Sequence, residues 1–128
     1  MAWVVRAGEA KPLDLINGYA LHKGVPGLYG FSVQYAPGKS VEELARAGQF
    51  ANGQISYADE AQLAQAVAPL GFTIRLVNSP GTGFHHTFCV IYDATNTQRT
   101  QLPEPVAQAL AATFKRRPNP HRVPRRQP

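Results

Sequence analysis

The chain predicts an α+β fold, a small mixed or antiparallel four-stranded sheet covered by about three helices. Three observations carry that expectation. Apolar and polar residues alternate over 28–35 and again through 72–77 and 84–92, the period of half-buried strands. Between these runs, Ser40 with Glu43 and Asp59 with Gln62 have the spacing of helix-opening capping boxes. Toward the C-terminus Val106, Ala109, Leu110, Thr113 and Phe114 recur at three and four, the stripe of a helix lying on a sheet.

The 128 residues, 44% hydrophobic and 16% charged, suit one domain with its own core. No apolar run approaches the ~20 residues of a membrane-spanning helix, so no membrane partner is expected. The opening MAWVVRAGEAKPLDL lacks the apolar run of a signal peptide, and the single Cys89 has no intramolecular disulfide partner. Both features suit a cytoplasmic location, or export without a cleaved signal. The formal net charge of +5 is concentrated in Lys115, Arg116, Arg117, Arg122, Arg125 and Arg126, with no acidic residue among them. Without these residues the body is nearly neutral. RNA or another polyanion is therefore expected at the tail, the alternative being a tail that only solubilises.

Residues 1–27 read as an N-terminal segment packed on the body, with a short strand at Trp3, Val4 and Val5 and one or two helical turns through Leu13, Ile16 and Tyr19. His22, beside Lys23 and Gly24, reads as an exposed loop residue. The body spans 28–117. In its first strand Tyr29, Phe31, Val33 and Tyr35 share a core face, while Gly30 on the other face permits close approach of another backbone. A helix over 41–47 follows, closed by Gly48. Gly38-Lys39-Ser40 imitates the end of a P-loop, but Val33 stands where its first glycine is required, which excludes a nucleoside-triphosphatase. Lys39 and Ser40 remain candidates for holding a phosphate or sulfate at the helix start. Residues 54–57 read as a short edge strand, and Leu63, Val67 and Leu70 mark a helix ending near Gly71. Glu104 and Pro105 open the last helix, whose final turn takes Lys115, Arg116 and Arg117. Residues 118–128, rich in proline, read as a basic tail, extended or disordered unless bound, with His121 solvated.

The stretch FTIRLVNSPGTGFHHTFCVIYD over 72–93 holds the candidate chemistry. Along its second run His86, Phe88, Val90 and Tyr92 share one face and His85, Thr87, Cys89 and Ile91 the other. Adjacent histidines on opposite faces do not serve one metal ion, and neither a metal nor a cofactor is expected. His85 and Thr87 lie side by side, an imidazole of suitable pKa beside an orienting hydroxyl. His85 or His86 is then the acid or base, Thr87 orients it, Arg75 on the neighbouring strand stabilises a phosphate, and Gly81 and Gly83 line the substrate loop. Cys89, between apolar neighbours, reads as a buried small hydrophobe rather than a nucleophile.

His85-x-Thr87 followed by apolar residues resembles one of the two motifs of the 2H phosphoesterases; the chain contains no second His-x-Thr or His-x-Ser. The GLYGFSVQ strand, the capped SVEELARAG helix and the PGTGFHHT loop are similar to those of small bacterial domains. Size, basic charge and a His-bearing strand also resemble toxin or effector domains of bacterial conflict systems. The resemblance implies a small effector that cleaves RNA or another phosphoester by metal-independent histidine acid–base chemistry. The alternative is a non-catalytic module, an adaptor or immunity-like partner, whose aromatic strand edge or terminal helix docks a protein while the tail adds attraction. An NAD-consuming transferase lacks a Ser-Thr-Ser or paired-glutamate motif here.

Overall fold

Val4 and Val5 are both fully buried, on opposite faces of one strand, which places the first run of the chain inside the sheet. The computed structural model describes residues 2–22, 26–47, 53–78, 85–94 and 100–120. Along them run β1 (Trp3–Ala7), α1 (Pro12–Gly18), β2 (Ala20–Leu21), β3 (Tyr29–Tyr35), α2 (Val41–Ala47), β4 (Gln54–Asp59), α3 (Glu60–Val67), β5 (Thr73–Asn78), β6 (His86–Tyr92), α4 (Glu104–Thr113) and β7 (Lys115–Pro118). The sheet order is β5-β6-β3-β1-β4-β7, with β2 also beside β3, and every pairing is antiparallel.

The fold class is α+β, but among the described residues the sheet has seven strands rather than four and carries four helices rather than three. The added strands are β1, β2 and β7. The run Lys115 to Arg117 continues past Phe114 not as a last helical turn but as β7, antiparallel to β4. That pairing also moves β4 from the expected edge to the interior. Pro118 and a row of cations then mark the outer edge, residues that discourage further strand addition.

Two apolar layers sandwich the sheet. On one face Val4, Phe31, Val33, Ala58, Cys89 and Ile91 meet Leu15 of α1, Leu63 and Val67 of α3, and Val106, Ala107 and Leu110 of α4. On the other, Val5 and Ile55 meet Val41, Leu44 and Ala45 of α2. Among the described residues this second face carries one helix and the first carries three. In α1 the buried residue is Leu15, and Leu13 is exposed.

Ser40 and Glu43 form the expected capping box: the Glu43 amide donates to Ser40 Oγ and the Ser40 amide to Glu43 Oε1, each at 3.2 Å. Replacing Ser40 by alanine is expected to cost about 1 kcal/mol in urea unfolding, with the helix content retained. Asp59, by contrast, makes no side-chain cap bond. The Glu60 amide donates instead to the Ala2 carbonyl at 2.8 Å, so the neighbouring chain satisfies a donor that a cap serves elsewhere. Gly71 closes the short 3-10 turn Ala68–Leu70 in the left-handed region, φ +86°. No helix among the described residues is long and apolar enough to cross a membrane.

Candidate functional site

The centre of the sheet is split. β3 pairs with β1 through Tyr35 and Gln34, and with β2 through Gly30 and Tyr29, so Phe31 to Val33 lie between two short pairings. Arg6 of β1 fills the gap. It lies on the three-helix side with Val4, its guanidinium 5.6 Å above the Phe31 ring, and its Nη1 donates to the Ser32 carbonyl at 2.6 Å. A carbonyl that would bond along the sheet is thus met by a cation reaching it from the three-helix side. Burial lowers the Arg6 pKa and Asp14 partly restores it, but a guanidinium stays charged at neutral pH.

Beside this split is a cavity of about 320 Å³ lined by Val5, Arg6, Ala7, Ser32, Val33, Gln34 and His86. Gln34 stands between Val5 on one neighbour and His86 on the other, in register with both. It is 8% exposed, and its Oε1 has no hydrogen-bond partner among the described residues. Such an atom costs stability unless something supplies a donor. His86, directly across the strand pair, sits within the ~5 Å Cβ separation of cross-strand neighbours.

His86 belongs to an aromatic cluster. Its ring meets Phe88 edge-on with centroids 5.8 Å apart, and the His22 ring lies tilted against Phe88 at 4.6 Å. Burial first, and then the neighbouring His22, hold the His86 pKa below its ordinary 6.5. It is therefore largely neutral at pH 7, the form that accepts a proton. His22 is not the exposed loop residue expected: it is 6% exposed, its amide donating to the Leu28 carbonyl. No local pattern marks His22 or Arg6, because the ring His22 meets, Phe88, and the carbonyl Arg6 meets, that of Ser32, lie far along the sequence.

The other sequence candidates lie apart from this cavity. His85 precedes β6 with φ +46°, so strand alternation does not extend through it. Thr87 is 1% exposed, and its hydroxyl lies 3.0 Å from the His85 carbonyl, 3.3 Å from Asn78 Oδ1 and 3.5 Å from the Tyr35 carbonyl. It bridges backbone at the sheet end and does not meet the His85 imidazole in these bonds. Thr87→Val is accordingly expected to cost about 1–2 kcal/mol in chemical denaturation. Arg75 faces Val90, four residues beyond His86, which at ~3.4 Å per residue is roughly 14 Å away. Cys89 is fully buried and burial pushes its thiol up to about 12, which leaves little thiolate.

The cationic candidates are partly spent. Lys39 pairs with Glu43 at 3.7 Å, whose carboxylate already serves the start of α2, a poor setting for a second anion. Arg117 pairs with Glu42 at 2.9 Å, and Arg116 with Glu9, which also holds Lys11. Glu9 is held low first by Lys11, Glu42 by its own backbone amide and then Arg117, and Glu43 by Ser40. These depressed carboxylates help the fold above the ordinary carboxylate range, and that help is lost as pH falls through their lowered values. A second cavity, about 390 Å³ between α1 and α4, has Glu9, Lys11 and Arg116 at its rim, largely neutralising one another. Gly81, Gly83, Arg122, Arg125 and Arg126 lie outside the described residues, as do Gly48 and His121. Among the described residues no three His, Cys, Asp or Glu side chains gather as metal ligands. No family model, curated protein or solved structure matches the chain.

Proposed function

We propose that this protein is a small effector or toxin-like domain that cleaves RNA without a metal ion, with His86 as the general base. The observation that carries the reading is that His86, an imidazole held below its ordinary pKa, lines one cavity together with Arg6, Ser32 and Gln34. An RNA phosphodiester brings its own nucleophile, so one base suffices to start the reaction. His86 takes the proton of the 2′-hydroxyl, the 2′-oxygen bonds to phosphorus, and the bond to the 5′-oxygen breaks. That oxygen leaves with a proton from water, and a 2′,3′-cyclic phosphate remains. Arg6, whose Nη1 reaches the Ser32 carbonyl at the gap between β1 and β3, adds positive charge on the side of the gap away from His86. Lys115, Arg122, Arg125 and Arg126 serve as the polyanion-collecting charges, since Arg116 and Arg117 are engaged with carboxylates.

The test is incubation of a defined oligoribonucleotide in excess chelator, with end-group analysis. Fragments ending in 2′,3′-cyclic phosphate support the reading, and intact RNA at all protein concentrations contradicts it. The second reading, a protein-binding module, is favoured by β5, which among the described residues pairs only with β6. A partner adding a strand there would protect β5 amides from hydrogen exchange, whereas RNA in the cavity would not.

A further inference from the structure

We infer that β5 is a self-association edge: two copies of this chain pair through it, antiparallel about a two-fold at Leu76, and join their sheets into one. The inference rests on the reading of β5 as a docking edge, names the partner that reading leaves open, and is independent of the RNA chemistry.

The two edges of the sheet are built differently. β7 forms one with Lys115, Arg116, Arg117 and Pro118, three cations and a residue without an amide proton. β5 forms the other with no proline and a single charge, Arg75. It stays in step with β6 from Thr73 opposite Tyr92 to Asn78 opposite Thr87, with no bulge, so every second residue turns its N–H and C=O outward. Among the described residues no strand meets that outer side. Ile74 and Leu76 pack against the core of the three-helix face yet stay half-buried, as does Val77 on the other face.

Charge points to a second copy as the occupant. The cations of β7 lie five strand spacings from β5, roughly 24 Å away. Pairing through β5 sets the two cationic edges roughly 50 Å apart, far past the ~8 Å Debye length, so two chains of like charge meet there with little repulsion. An acidic protein would be drawn to β7 instead.

Self-pairing has one favourable register. Directly opposite residues of an antiparallel pair share a face, so β5 aligns with its copy by setting one residue opposite itself. At Arg75 this would place two like charges face to face, which is destabilising. At Ile74 or Val77 only residues 73–75 or 76–78 of the strand would pair. At Leu76 residues 74–78 pair: the two leucines meet between Ile74–Asn78 pairs on one face, and each Arg75 lies opposite the Val77 of the other copy. The two-fold is perpendicular to the sheet, so both faces carrying His86 lie on the same side. One added ladder is a small interface, and association is concentration-dependent.

Sedimentation equilibrium of the full chain is expected to show the mass rising from one chain to two between micromolar and millimolar concentration. Over the same range the amides of β5, and not those of β7, should come to exchange more slowly. Val77→Glu puts a carboxylate opposite each Arg75 and is expected to tighten the dimer several-fold, and Val77→Lys, a like charge in the same place, to loosen it comparably. One chain at every concentration overturns the inference and leaves standing both the RNA reading and strand addition by a different protein. A dimer whose β5 amides gain no protection, or that both substitutions shift in the same direction, overturns it as well. The wild-type masses and exchange rates decide the matter even if neither variant folds.

Discussion

Replacing His86 by alanine is expected to lower kcat/KM for RNA cleavage by about 10²–10⁴-fold, the usual contribution of a positioned acid or base. The melting temperature should change little, because His86 is only half-buried at the start of β6. The pH profile adds a second readout. The base must be neutral to act, and burial together with His22 places its pKa below 6.5. The acid limb of kcat/KM should therefore have its midpoint below 6.5, and activity should persist at pH values where an ordinary histidine is mostly protonated. His85→Gly is the matching control. It removes a side chain from a residue at φ +46°, where glycine is at ease, and should leave the fold at least as stable. Loss of cleavage in the His85 variant with the His86 variant active would place the base on the wrong residue.

The largest stability effect among conservative changes is expected at Gly30→Ala. A Cβ there would lie 2.7 Å from the Cys89 carbonyl oxygen and 3.2 Å from Phe88 Cβ. The first neighbour is backbone, so no side chain can swing away, and β3 must separate from β6. Overpacking of this kind costs about 1–3 kcal/mol, and the upper end is expected because the obstruction is main chain. The same shift displaces the Gln34–His86 pair further along these strands, so cleavage should fall as well. Gly27→Asn is the contrasting case. Its φ of +77° is one asparagine tolerates and nothing lies within 4 Å of a Cβ built there, so urea midpoints should barely move. Equal midpoints for the two variants would mean that β3 and β6 are not held at the observed separation.

What was legible in the chain was local. The Ser40 box closes over three residues, the Tyr29–Tyr35 alternation needs only its own strand, and Gly30 announces a close approach through its missing side chain. His86, Phe88 and Val90 are read correctly as one face because β6 is regular there. What was not legible depended on partners far away. Lys115 to Arg117 complement a helix C-terminus as well as an edge strand, and only β4 decides between them. Arg6 looks like a surface residue beside Ala7 and Gly8; its role arises because β1 and β2 leave a gap along β3. His22 becomes buried only when β2 brings it over Phe88. His85 and Thr87 were adjacent in pattern, but the positive φ of His85 breaks the alternation on which that pairing relied.

The placement of the site is tested most directly by following the imidazole and side-chain amide resonances of the full chain during titration with cytidine 3′-monophosphate. The cavity beside Arg6 requires that the His86 imidazole and the Gln34 amide shift together and saturate at one nucleotide per chain, with His85 unmoved. Shifts confined to His85, or to Lys115 and the residues after it, with His86 and Gln34 silent, would show that the nucleotide binds elsewhere and that the split in the sheet is not the functional site.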